Sequence, residues 1–450
     1  MADSNISNEH GVDEHCDPNN PRIVKYEDIL AAARRIVGIV MRTPLLKSHM
    51  GEKYGMDLYY KAEFLQRVGS FNERGACNVL ACLTDEQKKF GVITASTGNH
   101  ALAMCYHAMR NNIPCCVVMP ASASPLKMEK CRELSGNKVV IHGEDIAEAK
   151  QHALDLALEK KMVYINGYDH VNIIEGQGTI GIEIVEQLPD VDAILVPVGG
   201  GGLIAGIATA VKHLKPDTEI YGIQTDKTFA MTETLRKNER VHIAINNTIA
   251  EGLAINKVGV NSFASIKGTV DKMIIVKEDW VMRGILHVIE EEKFVVEGAG
   301  ATTIATIMAG LLPNLKGKKV VCVFSGGNMD PKVLSRCIER AMAIEGRLVK
   351  FRVSLEDKEG AFTEFCSLIS NIGVTIRDFV PQRTWVTSEI FYTEVKVIAE
   401  TSGLNQAKEL TDLVKKHYKE AYFHQLSEHA RVTTERRGPC LAPNPVCMMK

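Results

Sequence analysis

Twelve cysteines are spread over the 450 residues without one CxxC pair or a Cys/His cluster at zinc-ligand spacing. That absence removes zinc modules and redox dithiols. Cys77, Cys82, Cys105, Cys322, Cys337 and Cys366 lie in apolar stretches, so reduced, buried thiols are expected. Charge of one sign is missing too: 53 basic residues face 55 acidic ones, for a formal net charge of −2. Such a balance gives no general attraction to nucleic acid or to a membrane surface, and a small neutral or zwitterionic partner suits it better. No apolar run approaches about 18 residues, so no membrane span is expected. The opening MADSNISNEHGVDEHCDPNNP lacks the basic start and apolar core of a signal peptide, which makes a cytoplasmic location the expectation.

What is present is a large apolar fraction, 45% of residues, enough for two or three domains. Residues 1–21 are polar and without apolar periodicity, so they are expected to be disordered, with ordered structure from residue 22. Up to residue 345, short β-branched runs alternate with helical patterns in the manner of βαβ units. The expected strands are Val92–Ala95, Cys115–Met119, Lys138–His142, Met162–Ile165, Ala193–Val198, Glu219–Gln224, Lys272–Val276 and Lys319–Phe324. Continuously apolar strands such as AILVPV and VVCVF imply parallel sheets with helices on both faces, arranged as two subdomains with a cleft between them. Residues 346–426 read as βαββα with a closing strand near residues 421–425, a ferredoxin-like α+β module. A Pro-containing tail, 427–450, is expected to be flexible.

Three segments carry chemistry. In VPVGGGGLIAGIATAVKHL an apolar strand runs through Gly199, Gly200, Gly201 and Gly202 into a helix from Leu203, so that backbone N–H groups and the helix N-terminus converge on an anion, in the manner of a phosphate cradle. In ITASTGNHALAM, residues Ser96, Thr97, Gly98, Asn99 and His100 open a helix with free N–H groups suited to a carboxylate. FSGGN, Phe324–Asn328, comes directly after a third strand. In open α/β sheets ligands sit at such carboxyl ends.

Together with SFNERGA (Ser70–Ala76), IIEGQGTIGIEI, TIAEGLAI and VEGAGA, these segments resemble the pyridoxal-phosphate (PLP) dependent threonine/serine dehydratases. The resemblance is to the catabolic L-threonine ammonia-lyase type, with a fold type II, tryptophan synthase β-like catalytic domain, and it covers roughly residues 25–340. It implies cofactor contacts from Phe71, Asn99, Gly199, Gly200, Gly201, Gly202, Leu203 and Ser325, the last facing the pyridine nitrogen. It also implies that Ser96, Thr97, Gly98 and His100 hold an amino-acid substrate. Residues 346–426 resemble the ACT-type regulatory domain of such enzymes, with Asp357–Gly360 and Ile372–Gly373 at its ligand or dimer contacts. The family reaction is deamination of L-threonine to 2-oxobutanoate, or of L-serine to pyruvate, in a homo-oligomer.

The chain departs from that pattern where it matters most. The signature reads S-F-K-x-R-G-A, and position 72 is Asn rather than the Schiff-base lysine. An amide neither condenses with an aldehyde nor takes a proton near neutral pH. Glu73 points elsewhere on a helix, about 100° round from Asn72, and Lys61 matches a lysine that active relatives also have. Gln224 and Ala230 occupy the positions of a cation-binding Glu and Asp, so no metal is expected, while Glu297 survives as a lone carboxylate. The expectation is an impaired or inactive dehydratase that binds PLP noncovalently, alone or beside an active relative. The alternatives are an active ammonia-lyase and a regulatory amino-acid-binding protein.

Overall fold

The computed structural model describes residues 11, 13–136, 138–384, 390–424 and 447–448, in two compact units that divide at Asp330. The first unit contains two sheets. Its strands are β1 (Leu45–Lys47), β2 (Asp57–Ala62), β3 (Val92–Ala95), β4 (Cys115–Met119), β5 (Val139–Ile141), β6 (Val163–Tyr164), β7 (Ala193–Pro197), β8 (Glu219–Thr225), β9 (Lys272–Val276) and β10 (Lys319–Phe324). The small sheet runs β5-β4-β3-β6, all parallel. The large sheet runs β1-β2-β10-β7-β8-β9, parallel except for β1, with Cys447–Met448 pairing antiparallel against β9.

Every residue of β4 and β7 is buried, as a strand covered by helices on both faces must be. Separate apolar clusters lie on the two faces of the small sheet, one around Val92, Met104 and Val117 and the other around Ile93, Val118 and Leu154. The large sheet packs Ile194, Val196 and Val321 against Ile180, Ile204 and Ile207 of its helices. β1 and β2 were not read from the sequence: three residues of LLK carry no period, and DLYYKA mixes charge with aromatics.

Two boundaries differ from the sequence reading. Order begins before residue 22, because Cys16 is buried and a short 3₁₀ turn spans Glu14–Cys16. Polar side chains there hydrogen-bond to the fold instead of to water, which composition does not disclose. The first unit also ends at Asp330 rather than 345, since the helix Pro331–Ile344 belongs with the second unit and Glu339 pairs with Arg377 at 2.7 Å. Most of the tail 427–450, expected to be flexible, lies outside the described residues.

The second unit has β11 (Leu348–Glu356), the helix Ala361–Ser370, β12 (Thr375–Gln382), β13 (Tyr392–Glu400), the helix Leu404–His417 and β14 (Ala421–Phe423). Its sheet order, β12-β13-β11-β14 and fully antiparallel, is that of the ferredoxin-like βαββαβ fold. Here alternate residues are buried: Phe351, Val353 and Leu355 of β11 and Val395, Val397 and Ala399 of β13 face the two helices.

Candidate active site

Four strand ends or loops of the first unit converge. After β7 the chain turns through Gly199–Gly202 into the helix Gly202–Leu214. Gly201 sits at φ +105°, and a Cβ on Gly200 would stand 2.2 Å from the Tyr168 ring, so the turn admits no side chain. Close packing by Tyr168 therefore gives these glycines a structural reason as well as a ligand-binding one. Gly200, Gly201, Gly202 and Leu203 are buried, yet among the described residues no acceptor meets the amides of Gly199 to Leu203. Buried N–H groups without partners are costly, so an anion on this loop is the arrangement's natural complement.

After β3, Ser96–Asn99 lead into the helix Asn99–Arg110. Ser96 Oγ accepts from Gly98 N at 3.3 Å, and a Cβ on Gly98 would meet nothing within 4 Å, so this turn opens onto free space. The His100 ring lies against Gly167 and is buried, and burial pushes it down to about 4. Its side chain is thus turned away from the opening, and only its amide can serve a carboxylate.

The third element comes after β10. Ser325 is buried and its hydroxyl has no partner among the described residues, while its carbonyl accepts from Phe71 N at 3.0 Å. Gly326 bridges to Ser70, and Gly327 N donates to Gly69 O at 2.9 Å. This seam fixes where the helix Asn72–Ala81 begins. Asn72 is buried there, its Oδ1 accepting from Ser70 Oγ at 3.2 Å.

A hydrogen-bonded relay ties the turns after β3 and β10 to the chain ahead of Asn72. Asn99 Nδ2 donates to Glu297 Oε1 and Oε2 at 2.9 and 3.0 Å. Asn328 Nδ2 donates to Asn99 Oδ1 at 3.0 Å and to Val68 O at 2.6 Å. Burial pushes Glu297 up to about 7, against the downward pull of Asn99 and Lys127. The sequence flagged Asn99 and Glu297 separately; Asn328, at the end of FSGGN, and Tyr168 were missed. Nothing short-range marks Tyr168, which lies about 30 residues before the loop it supports.

Under the Asn72 helix sits a buried ion network. Arg74 donates through Nε and Nη2 to Glu63 at 2.8 Å each, and through Nη1 to Glu183 at 2.6 Å. Lys61 Nζ donates to Glu183 Oε2 at 2.6 Å, Thr43 O at 2.7 Å and Gln187 Oε1 at 2.9 Å. All three of its N–H bonds are engaged, so it is no spare amine for the site; burial holds its pKa below the ordinary lysine value in spite of Glu183 and Glu63. Glu73 accepts from Val68 N and faces His107 at 3.4 Å, away from Asn72 as expected. Gln224 uses Nε2 on Val198 O at 3.0 Å and Oε1 on Thr232, which leaves its amide internally satisfied rather than open to a cation.

The sequence profile of the family described as "Pyridoxal-phosphate dependent enzyme" matches residues 36–326. The chain belongs to that family. It is 38% identical to an L-threonine ammonia-lyase of Geobacter sulfurreducens over 389 residues, 86% of this chain and 96% of the relative. A catabolic L-threonine dehydratase of Staphylococcus aureus is 37% identical over 326 residues, 72% and 94% of the two chains. Among solved structures, the processed threonine deaminase isoform 2 of Solanum lycopersicum superposes with a TM-score of 0.66 at 34% identity, covering 74% of this chain and 98% of that one. Maize serine racemase superposes at 0.67 with 29% identity, over 71% and 98%. The first unit therefore has PLP fold type II, and the family's cofactor is pyridoxal 5'-phosphate. The unpartnered amides at 199–203 and the open Ser325 hydroxyl fit its phosphate and ring, whereas position 72 offers no amine.

Proposed function

We propose that this protein keeps the PLP and amino-acid binding of a threonine/serine dehydratase and is catalytically impaired or inactive, with PLP held noncovalently. The observation that carries this reading is Asn72: a buried amide, hydrogen-bonded to Ser70, where the reaction needs an amine. Lys61 is committed to three acceptors and offers no replacement amine.

PLP, when bound, supplies an electron sink for charge developing at the substrate α-carbon. The chain's own groups would bind and orient both ligands. The amides of Gly199–Leu203 would take the phosphate, and Phe71 would lie beside the ring. The Ser325 hydroxyl would face the ring nitrogen as a neutral partner and leave it unprotonated. Asn99, gripped by Glu297 and Asn328, would sit at the ring edge. Ser96, Thr97, Gly98 and the His100 amide would take the substrate carboxylate. Asn72 can offer only neutral hydrogen bonds and cannot move the α-proton. A positioned base contributes about 10²–10⁴ in rate, and the lost covalent step adds to that deficit.

Absorbance spectroscopy and borohydride trapping of purified protein with PLP test the reading. Dialysable PLP with negligible 2-oxobutanoate release from L-threonine is expected. A lysine-linked PLP or sustained release overturns it in favour of a second reading, an active L-threonine/L-serine ammonia-lyase, which the similarity to enzymes of that name supports. The independent ferredoxin-like unit supports a regulatory element within the first reading: an ACT-type amino-acid sensor in a homo-oligomer or beside an active relative. Calorimetric titration of the full chain with amino acids in the absence of PLP, together with its mass in solution, tests that part.

A further inference from the structure

Residues 11 and 13–22 lie ahead of the family-matched residues and are nevertheless anchored at three places in the first unit. On the small-sheet side, Gly11 N donates to Asp155 Oδ1 at 2.9 Å, Gln151 Nε2 donates to Gly11 O at 3.3 Å, and Lys150 pairs with Asp13 at 3.4 Å; all three partners lie on the helix Ile146–Lys160. On the large-sheet side, Asn261 of the helix Val260–Ile266 donates to His15 O at 2.7 Å and accepts from Arg22 N at 2.8 Å. Between these anchors the segment rests on the loop 166–170: Asn166 Nδ2 donates to Asp13 Oδ2 at 3.2 Å, and the His15 and His170 rings are 4.3 Å apart.

That loop is the back wall of the glycine turn. Tyr168 sets its ring against Gly200 and its carbonyl against Gly202, and the same carbonyl accepts from Ser262 Oγ at 2.8 Å. Asp169 accepts from Val260 N at 2.7 Å and Ser262 N at 2.9 Å, and Gly259 N donates to Gly200 O at 3.0 Å. The segment thus bears on the same loop and helix that hold the glycine turn in place. Within this docking His15 Nδ1 is buried without a partner among the described residues.

We propose that residues 11 and 13–22 form a strap that joins the small-sheet helix Ile146–Lys160 to the large-sheet helix Val260–Ile266 and positions Tyr168 behind the glycine turn, so that the docked strap sets the affinity of the 199–203 amides for a phosphate group. For the choice of phosphate ligand this rests on the PLP-binding reading. The strap residues touch no ligand and act through Tyr168.

The test compares the full chain with Asp13→Ala, which removes the Lys150 and Asn166 contacts, and with a chain lacking residues 1–21. Hydrogen exchange of residues 166–170 and 199–203 is measured without ligand, and PLP and inorganic phosphate binding by equilibrium dialysis. In both variants faster exchange in the two segments and affinity for both ligands weakened about fivefold or more, the usual scale of such couplings, are expected. Unchanged exchange in both segments for Asp13→Ala overturns the strap, whatever the deletion does to folding. Faster exchange with unchanged affinity for both ligands overturns its role in binding. Should the full chain bind no PLP, the PLP reading fails separately, and exchange with phosphate affinity still decides the strap.

Discussion

The glycine turn after β7 and the corner at Asn72 belong to one site, linked through Gly252, which approaches Gly199 on one side and Glu297 on the other. They have different fates. The turn keeps five amides without acceptors among the described residues, a backbone feature suited to an anion, whereas the corner presents the amide side chain of Asn72. Binding resides in backbone geometry, which many residues fix together. Amine chemistry would reside in one side chain, and the amide of Asn72 supplies none there.

Asn72→Lys is the sharpest way to break that contrast. If the corner lacks only its amine, the variant should trap PLP with borohydride and raise 2-oxobutanoate release by at least about 10²-fold. No gain would locate further losses elsewhere, with Gln224 the first place to look. Next in size is the foundation of the corner. Arg74→Met leaves Glu63 and Glu183 buried without their guanidinium, and a cost of about 3–5 kcal/mol is expected, read as a lowered denaturation midpoint. A loss below about 1 kcal/mol would mean that the network does not support the Asn72 helix.

Glu297 gives a pH test on the relay between the two regions. Its folded-state value, about 7, lies above the ordinary 4.5, so the folded chain holds the extra proton between these limits and stability falls as pH rises across them. Replacement by Gln removes this titration. The parent should therefore lose ground to Glu297→Gln between pH 5 and pH 8, by up to about 3 kcal/mol. A pH-independent difference in thermal midpoint counts against it. His100 and His170, pushed down by burial to about 4 and about 3, act in the opposite sense in both proteins: their contribution is lost as pH falls below about 6.5. The smallest expected effect is on the glycine side. Gly200→Ala drives a methyl into the Tyr168 ring and should cost about 1–3 kcal/mol, with PLP affinity falling in parallel and the Asn72 corner unaltered. Retained affinity in equilibrium dialysis would show that the turn tolerates what its geometry forbids.

Most of the fold was legible because its strands are short, apolar and β-branched: all eight expected strands of the first unit are present, four with the expected bounds and four with ends shifted by one residue. β1 was too short for a period, and β2 hides its inward face among charges that the network around Lys61 and Arg74 absorbs. In the site, glycine runs and strand-to-helix junctions announced themselves. His100 was legible as a residue of the carboxylate turn, but its rotation toward Gly167 was not, because a side chain's direction depends on what packs beside it.

By itself the sequence determined the classes of element, the two-unit layout and the presence of an amide rather than an amine at position 72, since each is written in local pattern or in residue identity. Only the tertiary structure decided that the glycine turn is braced by Tyr168, that Lys61 is spent within a buried network, and that residues 11 and 13–21, expected to be loose, are docked across two helices. Those facts depend on contacts between residues tens to hundreds of positions apart, and no local period encodes them.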